Sequence, residues 1–391
     1  MRTIGIRERR ARLGLRHGLA TPFRTVDQAA EAMIGLHSSD PATVFLSARS
    51  RVTRFRREDL EDALYDRRSL VRMLGMRRTL FVTTLELAAV VDAACTKALV
   101  PGERRRLIGM LEDQGIAGDG AAWLRKANRA TMRALRDPGE LSGGELSKAV
   151  PELRAKLVFG EGKTWGGEVG VSTRVLFLLA TEGTIVRGRP LGTWVSGQYR
   201  WAPTDAWLGA PLPTIATGAA SAELLRRWLL AFGPATATDI RWFMGWTQAK
   251  LRAALLAIET EQVALDDGTN AYLLADDADE VRSRKRWVAL LPGLDPTTMG
   301  WKERDWYLGP HGARLFDRNG NAGPTVWADG RIVGGWGQRA DASVVVRYLE
   351  PVEADTEARV EEERVRLESW LDGARVTARF RTPLEKEIEA P

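Results

Sequence analysis

The chain has 391 residues, 44% of them hydrophobic, which is enough material for a sizeable core and for several domains. Its formal charge of +6 suits an anionic partner better than a cationic one. The single cysteine excludes an internal disulfide, and without a run of about 18 apolar residues we expect no membrane-spanning segment.

The positive charge is concentrated at the start of the chain. Residues 1–80 contain 17 arginines and no lysine against nine Asp or Glu residues, whereas the remaining residues sum to a slightly negative charge. A positive field confined to one region is typical of a surface that binds nucleic acid. The competing explanation is compositional, because the whole chain is rich in Ala, Arg and Gly and poor in Lys.

Residues 1–100 predict a basic N-terminal arm followed by a winged helix-turn-helix. Thr25-x-x-Gln28 is a capping box, and it opens a helix whose apolar face closes at His37. Asp40-Pro41 is a helix start, with Asp as the N-cap and Pro in the first turn. The pattern predicts, in order, helices at 6–15, 26–37, 41–50 and 58–66, and a basic β-hairpin of 70–74 and 76–82.

The rest of the chain repeats this plan and then changes character. Capping boxes at Ser142 and Thr236 each open a helix that precedes a hairpin pattern, and short β-like runs follow from Arg286. We therefore expect an α+β, mainly α, fold of three tandem winged helices plus a C-terminal antiparallel sheet or half-barrel. The predicted units are a helical spacer (101–137), a second winged helix and linker (138–215), a third winged helix (216–283) and the β-rich domain (284–391).

Three stretches resemble one family. They are Gly35-Leu36-His37-Ser38-Ser39-Asp40-Pro41 with Arg49 and Arg51, the run 290–304 that ends in Lys302-Glu303-Arg304, and the run 323–336 with its Trp327 and Trp336. Together with three tandem winged helices, they resemble the HTH_42 winged-helix family of bacteria, which includes the AlkZ and YcaQ DNA glycosylases. The similarity spans nearly the whole chain.

The resemblance implies a candidate site at residues 37–40, here called the joint. The family's characterised members carry Gln-x-Gln or Gln-x-Asp at this place, whereas this chain has His37-Ser38-Ser39 followed by Asp40. A glycosylase needs a group that positions water and a negative charge beside an oxocarbenium-like sugar. We therefore expect Asp40 to supply the charge, His37 to hold or deprotonate the water, and Ser39 either to orient the water or to contact a phosphate.

Simpler roles compete with each of these assignments. Asp40 is an N-cap, His37 on an apolar stripe is often a core residue, and Ser39 is an ordinary linker residue. Arg77 and Arg78 lie on the predicted hairpin. They are equally consistent with charges on a solvent-exposed sheet edge and with residues that contact phosphate. The residues expected to contact DNA are Arg49, Arg51, Arg54, Arg56, Arg77, Arg78, Lys302 and Arg304.

The charge pattern predicts a double-stranded DNA-binding protein, and the resemblance implies a DNA glycosylase that excises bulky or N7-alkylated purines. The alternatives are a non-catalytic DNA binder, either a regulator or a lesion-sensing scaffold, and a protein that binds a genotoxic small molecule without DNA. Three His and one Cys share no ligand spacing, so we expect no metal, and we expect no cofactor. We further expect a cytoplasmic, nucleoid-associated monomer.

Overall fold

The computed structural model describes residues 2–160, 166–283, 285–376 and 381–389. The fold is α+β, with many helices and several small sheets. Its α-helices are α1 (Ile6–Arg16), α2 (Val26–Ala32), α3 (Pro41–Arg49), α4 (Arg57–Glu61), α5 (Leu85–Val91), α6 (Val100–Asp113), α7 (Gly120–Arg136), α8 (Gly143–Ala149), α9 (Val171–Thr181), α10 (Thr204–Leu208), α11 (Thr217–Phe232), α12 (Ala237–Met244), α13 (Gln248–Leu256), α14 (Asp305–Leu308), α15 (Gly312–Leu315), α16 (Ala354–Leu371) and α17 (Pro383–Glu389).

Most strands form small antiparallel sheets, and these strands alternate with helices along the chain. The strands are β1 (Thr3–Ile4), β2 (Leu36–His37), β3 (Leu70–Leu74), β4 (Leu80–Thr84), β5 (Leu141–Ser142), β6 (Lys156–Phe159), β7 (Gly167–Gly170), β8 (Ile185–Pro190), β9 (Tyr199–Pro203), β10 (Thr260–Leu265), β11 (Asn270–Leu274), β12 (Val288–Leu291), β13 (Thr325–Ala328), β14 (Arg331–Gln338) and β15 (Val344–Tyr348). Their orders are β2-β4-β3, β5-β9-β8, β1-β10-β11 and β12-β13-β14-β15, with β6 and β7 paired alone.

Local capping signals in the sequence are confirmed. The side chain of Thr25 accepts a hydrogen bond from the Gln28 amide, and capping boxes are present at Ser142 and Thr236. Asp40 caps α3 as expected, because its side chain accepts from the amides of Ala42 and Thr43. These contacts span two or three residues, so the sequence alone can specify them.

The predicted helix that closes at His37 is wrong at its end. Helix α2 stops at Ala32, and the backbone then turns through left-handed conformations at Ile34 (φ 55°) and Gly35 (φ 95°). His37 therefore lies on strand β2, opposite Phe81 of β4. This pairing places the joint at the edge of a three-stranded sheet, which a periodicity argument within one segment does not detect.

The basic N-terminal arm is a structural element. Strand β1 pairs in parallel with β10, about 260 residues away, and α1 packs on α11. Arg12 is buried and bonds to Asp277, and Arg16 bonds to the same carboxylate at 2.6 Å. The guanidinium of Arg9 lies 4.1 Å from the Trp306 ring. Much of the early positive charge thus stabilises the fold instead of facing a partner.

A buried ion pair joins α3 to the segment that follows β12. Arg51, which we expected to contact DNA, is fully buried, and its guanidinium donates to both carboxylate oxygens of Asp295 at 2.9 and 2.5 Å. Ser47 also donates to Asp295, and Thr43 donates to the carbonyl of Gly293. The prediction for Arg51 is wrong, because a phosphate cannot reach a guanidinium enclosed in the core.

Two of the predicted units are described only in part. Residues 161–165 of the predicted second winged helix and residues 377–380 of the predicted β-rich domain lie outside the described residues. The helix α17 that follows was not predicted. It packs on β14 of the four-stranded sheet.

Replacing Asp295 with Asn should lower the free energy of unfolding by about 3–5 kcal/mol, since it leaves the buried Arg51 charge without a counter-ion. Equilibrium urea denaturation measures this change. The exposed pair between Arg282 and Glu280 supplies the control, and Glu280→Gln should leave stability nearly unchanged. Equal effects of the two substitutions would contradict the importance of the buried pair.

Candidate active site at the joint

His37 is held neutral at the joint. Its side chain is only 4% exposed, its ring meets Phe81 edge-on, and Nδ1 is buried without a hydrogen-bond partner among the described residues. Burial, and then the positive charge of Arg77, lower the pKa of His37 to about 3. His37 is therefore a hydrogen-bond acceptor or donor in its neutral form at any physiological pH.

Ser39 and Asp40 complete the joint. Ser39 is exposed, and its hydroxyl lies 3.5 Å from Nε2 of His37 while it accepts from the Leu80 amide. Only Oδ1 of Asp40 caps the helix, at 2.9 and 3.3 Å from the amides of Ala42 and Thr43. Burial raises the pKa of Asp40 above its ordinary value, and these two cap bonds oppose the shift. The second oxygen, Oδ2, has no partner among the described residues.

One cavity contains all three of these side chains in its wall. It has a volume of about 340 Å³, and His37, Ser39 and Asp40 line one side. The loop after β12 contributes Pro292 and Gly293 to the wall. The volume is near the lower end of the range of about 300–1,000 Å³ that small-molecule pockets occupy.

Residues from the C-terminal part of the chain, called the facing wall below, complete the lining of the cavity, and the sequence did not predict them. The charged residues of the facing wall are Asp317, Arg375, Arg381, Glu385 and Glu389. Burial raises the pKa of the Glu385 carboxyl, and only Oε2 of that group is used, to accept from Thr382. Arg375 and Arg381 both pair with Glu389. With Asp40, the described lining holds four carboxylates against two guanidiniums, so the cavity is negative within a positively charged protein.

Two of the predicted DNA contacts meet beside the joint. The guanidiniums of Arg77 and Arg304 lie 3.8 and 5.0 Å from the ring of Trp242, and no carboxylate within the described part of the chain pairs with either. Burial, and then repulsion by Arg304, lower the pKa of Arg77 to about 10. Arg77 and Arg78 also have left-handed backbones, an arrangement that costs energy and that clusters at functional sites.

The remaining predicted arginines lie apart from the joint. Arg49 bonds to Glu363 in a half-buried contact, so its charge is already neutralised. Arg56 pairs with Asp59 at the surface, and Arg78 pairs with Glu103. Arg54 and Lys302 are exposed. Arg54, Arg56, Arg78 and Lys302 are therefore accessible to a partner. None of the four lines the cavity.

Comparison with known proteins decides the family. The model of the family described as DNA glycosylase AlkZ-like matches residues 30–370. This chain belongs to that family. The solved structure of Streptomyces sahachiroi DNA glycosylase AlkZ superposes on 97% of this chain and 100% of that chain, with a TM-score of 0.73 and 22% sequence identity. A comparison with curated proteins found no match.

Membership in the AlkZ-like family gives the chain a DNA-repair, glycosylase-like function with DNA as its substrate. The joint and Asp317 fall inside the matched region, whereas Arg375, Arg381, Glu385 and Glu389 lie beyond it. Part of the cavity wall is thus built by residues that the family model does not cover.

Neither a metal-binding group nor a membrane-spanning helix is found within the described ranges. There, no group of three or more His, Cys, Asp or Glu side chains could hold a metal ion. None of the helices in the same ranges combines the length and apolar character that crossing a membrane requires.

The buried neutral His37 should make stability fall in acid. Its pKa is lower in the folded chain than in the unfolded chain, so the unfolded chain binds the proton first as the pH drops below about 6.5. As the pH falls from 7.5 to 5, this difference in pKa should lower the free energy of unfolding by about 2 kcal/mol. Urea denaturation of wild type and His37→Gln at both pH values measures this cost, and identical pH dependence in the two proteins would contradict it.

Proposed function

We propose that this protein is a monofunctional DNA glycosylase that hydrolyses the N-glycosidic bond of an N7-alkylated purine at the joint. One observation carries the proposal: His37, Ser39 and Asp40 line a single negative cavity, with carboxylates on the facing wall. A base extruded from the duplex would enter this cavity, as bases do in enzymes that act on them. The cavity volume favours one alkylated base over a bulky adduct within it.

Each residue of the joint has a chemical role in this proposal. Alkylation at N7 makes the base cationic, so the bond to C1′ breaks with the electron pair leaving on the base, which departs neutral. The sugar is left with oxocarbenium character, and the free Oδ2 of Asp40 stabilises that charge. Neutral His37 and the Ser39 hydroxyl orient the water that attacks C1′, and the water's proton passes to solvent.

The facing wall stabilises the cationic base before the bond breaks. Glu385 has one carboxylate oxygen without a partner among the described residues, and Asp317 lies in the same wall. A cation that leaves water for this cavity exchanges hydration for two fixed carboxylates. A neutral base gains no such compensation, so the wall favours the damaged base over the normal one.

The proposal extends to how DNA is held. Double-stranded DNA would contact Arg77 and Arg304 beside the joint, with Arg54, Arg56, Arg78 and Lys302 further out. The three helical segments that end in β3–β4, β8–β9 and β10–β11 would be winged helices, with the boundaries predicted from the sequence. A monomer is sufficient for this arrangement, and we place the protein at the nucleoid in the cytoplasm.

Asp40→Asn should slow excision of 7-methylguanine from a duplex by about 100-fold or more, since it removes the charge at the reacting sugar. Asparagine is an equally good N-cap, so α3 should form normally. Single-turnover cleavage at the resulting abasic sites measures the rate, and Asp40→Ser is a second variant that retains the cap without the charge. A rate within about twofold of wild type in both variants would contradict the assigned role.

Glu385→Gln should slow excision of the same cationic base by about tenfold, the effect of one partly screened charge. Glu387 on the same helix provides the matched control, because it is exposed, pairs with Arg314 and does not line the cavity. Glu387→Gln should excise at the wild-type rate. If both glutamates, or neither, affect the rate, the facing wall does not select the cation.

A non-catalytic lesion-binding role is the second candidate. It is favoured by the absence of a hydrogen bond between His37 and Asp40 among the described contacts, since a base and its orienting acid are usually joined. Tight binding to alkylated duplex without excision of any base would support it over the first.

A further inference from the structure

Two arginines lie on neighbouring strands behind the joint. Arg72 lies on β3, Arg187 lies on β8, and these two strands pack together. Arg72 is only 2% exposed. Neither residue was a candidate from the sequence, where each is one more arginine in a strand-like run.

Aromatic rings and hydroxyls surround the two guanidiniums. That of Arg72 lies 4.5 Å from the Tyr199 ring, and that of Arg187 lies 4.6 Å from the Trp201 ring. Arg72 also donates to the hydroxyls of Ser38 and Tyr65, at 2.6 and 3.1 Å. The hydroxyl of Tyr199 is buried and has no hydrogen-bond partner among the described residues.

Two acids of this region are paired with a neighbouring arginine. Arg189, two residues along β8, pairs with Glu61 and Asp66 at 2.8 and 3.0 Å. Within the described residues, no carboxylate pairs with Arg72 or Arg187. Burial, followed by repulsion from Arg72, lowers the pKa of Arg187 to about 10.

The charge of Arg187, desolvated and repelled by Arg72, is stabilised when an anion binds it. A buried cation normally has a charged partner. Without one, the free energy lost on desolvation exceeds the stabilisation that hydroxyl groups and aromatic rings provide. The guanidinium fork matches the oxygens of a phosphate and binds them in a bidentate manner. A tyrosine hydroxyl without a partner adds a further donor.

We propose that the half-buried Arg187 and Tyr199 form a binding site for a phosphate oxyanion, occupied by a backbone phosphate when DNA is bound, with the buried Arg72 adding positive charge behind them. Ser38 connects this site to the joint, because it stands between His37 and Ser39 and accepts from Arg72. The site therefore ties the wing of the second segment to the catalytic residues of the first. The proposal requires only that the chain binds DNA, so it does not depend on base excision.

The first test compares two arginines on one strand. Affinity for a 20-base-pair duplex is measured by fluorescence anisotropy over a range of salt concentrations, for wild type, Arg187→Gln and Arg189→Gln. Losing one phosphate contact should weaken binding several-fold and reduce the slope of log affinity against log salt by about one. Arg189→Gln removes a charge that is already paired and should leave the slope unchanged. Arg187→Lys, which retains charge and a stem to pack on Trp201, should recover part of the affinity.

The second test uses inorganic phosphate, which distinguishes a free anion from the DNA backbone. Thermal unfolding is followed in phosphate and in chloride at equal ionic strength. Stabilisation by phosphate that is lost in Arg187→Gln, without a change in the DNA salt slope, would support the oxyanion site and assign it to a free anion. An unchanged salt slope together with equal stabilisation of wild type and Arg187→Gln would overturn the proposal.

Discussion

The buried pair between Arg51 and Asp295 sets the geometry on which the candidate site depends. It connects the end of α3 to the loop after β12, two segments separated by 244 positions in the chain. Asp40 caps the other end of the same helix, so the pair fixes the joint relative to the C-terminal domain. The cavity exists only while these two bodies keep their spacing, because each supplies one of its walls.

The charge distribution of the cavity is opposite to that of the chain. The chain carries a formal charge of +6, yet the described wall of the cavity holds an excess of carboxylates. This separation suits an enzyme that must hold a polyanion and stabilise a cationic base and sugar at once. Burial of His37 as a neutral ring keeps a competing positive charge out of the cavity.

Local signals in the sequence predicted much of this structure, and long-range contacts account for the errors. The caps at Thr25, Ser142 and Thr236 were predicted because their partners are three residues away. The joint remains a prediction from its residues, and the strand at His37 could not be predicted because it depends on Phe81. Arg51 looked like a surface cation because nothing near it in sequence reveals Asp295. Glu385 could not be predicted for the same reason.

The central claim is that the joint presents negative charge where the sugar becomes cationic, and binding to a charged abasic-site analogue tests it directly. Two duplexes are compared, one with a neutral tetrahydrofuran residue and one with a pyrrolidine residue that is protonated at neutral pH. Affinity for a mimic of the transition state reports the interactions that lower the barrier. The account predicts tighter binding of the pyrrolidine duplex and loss of that preference in Asp40→Asn. Equal affinity of the wild-type protein for both duplexes would contradict it.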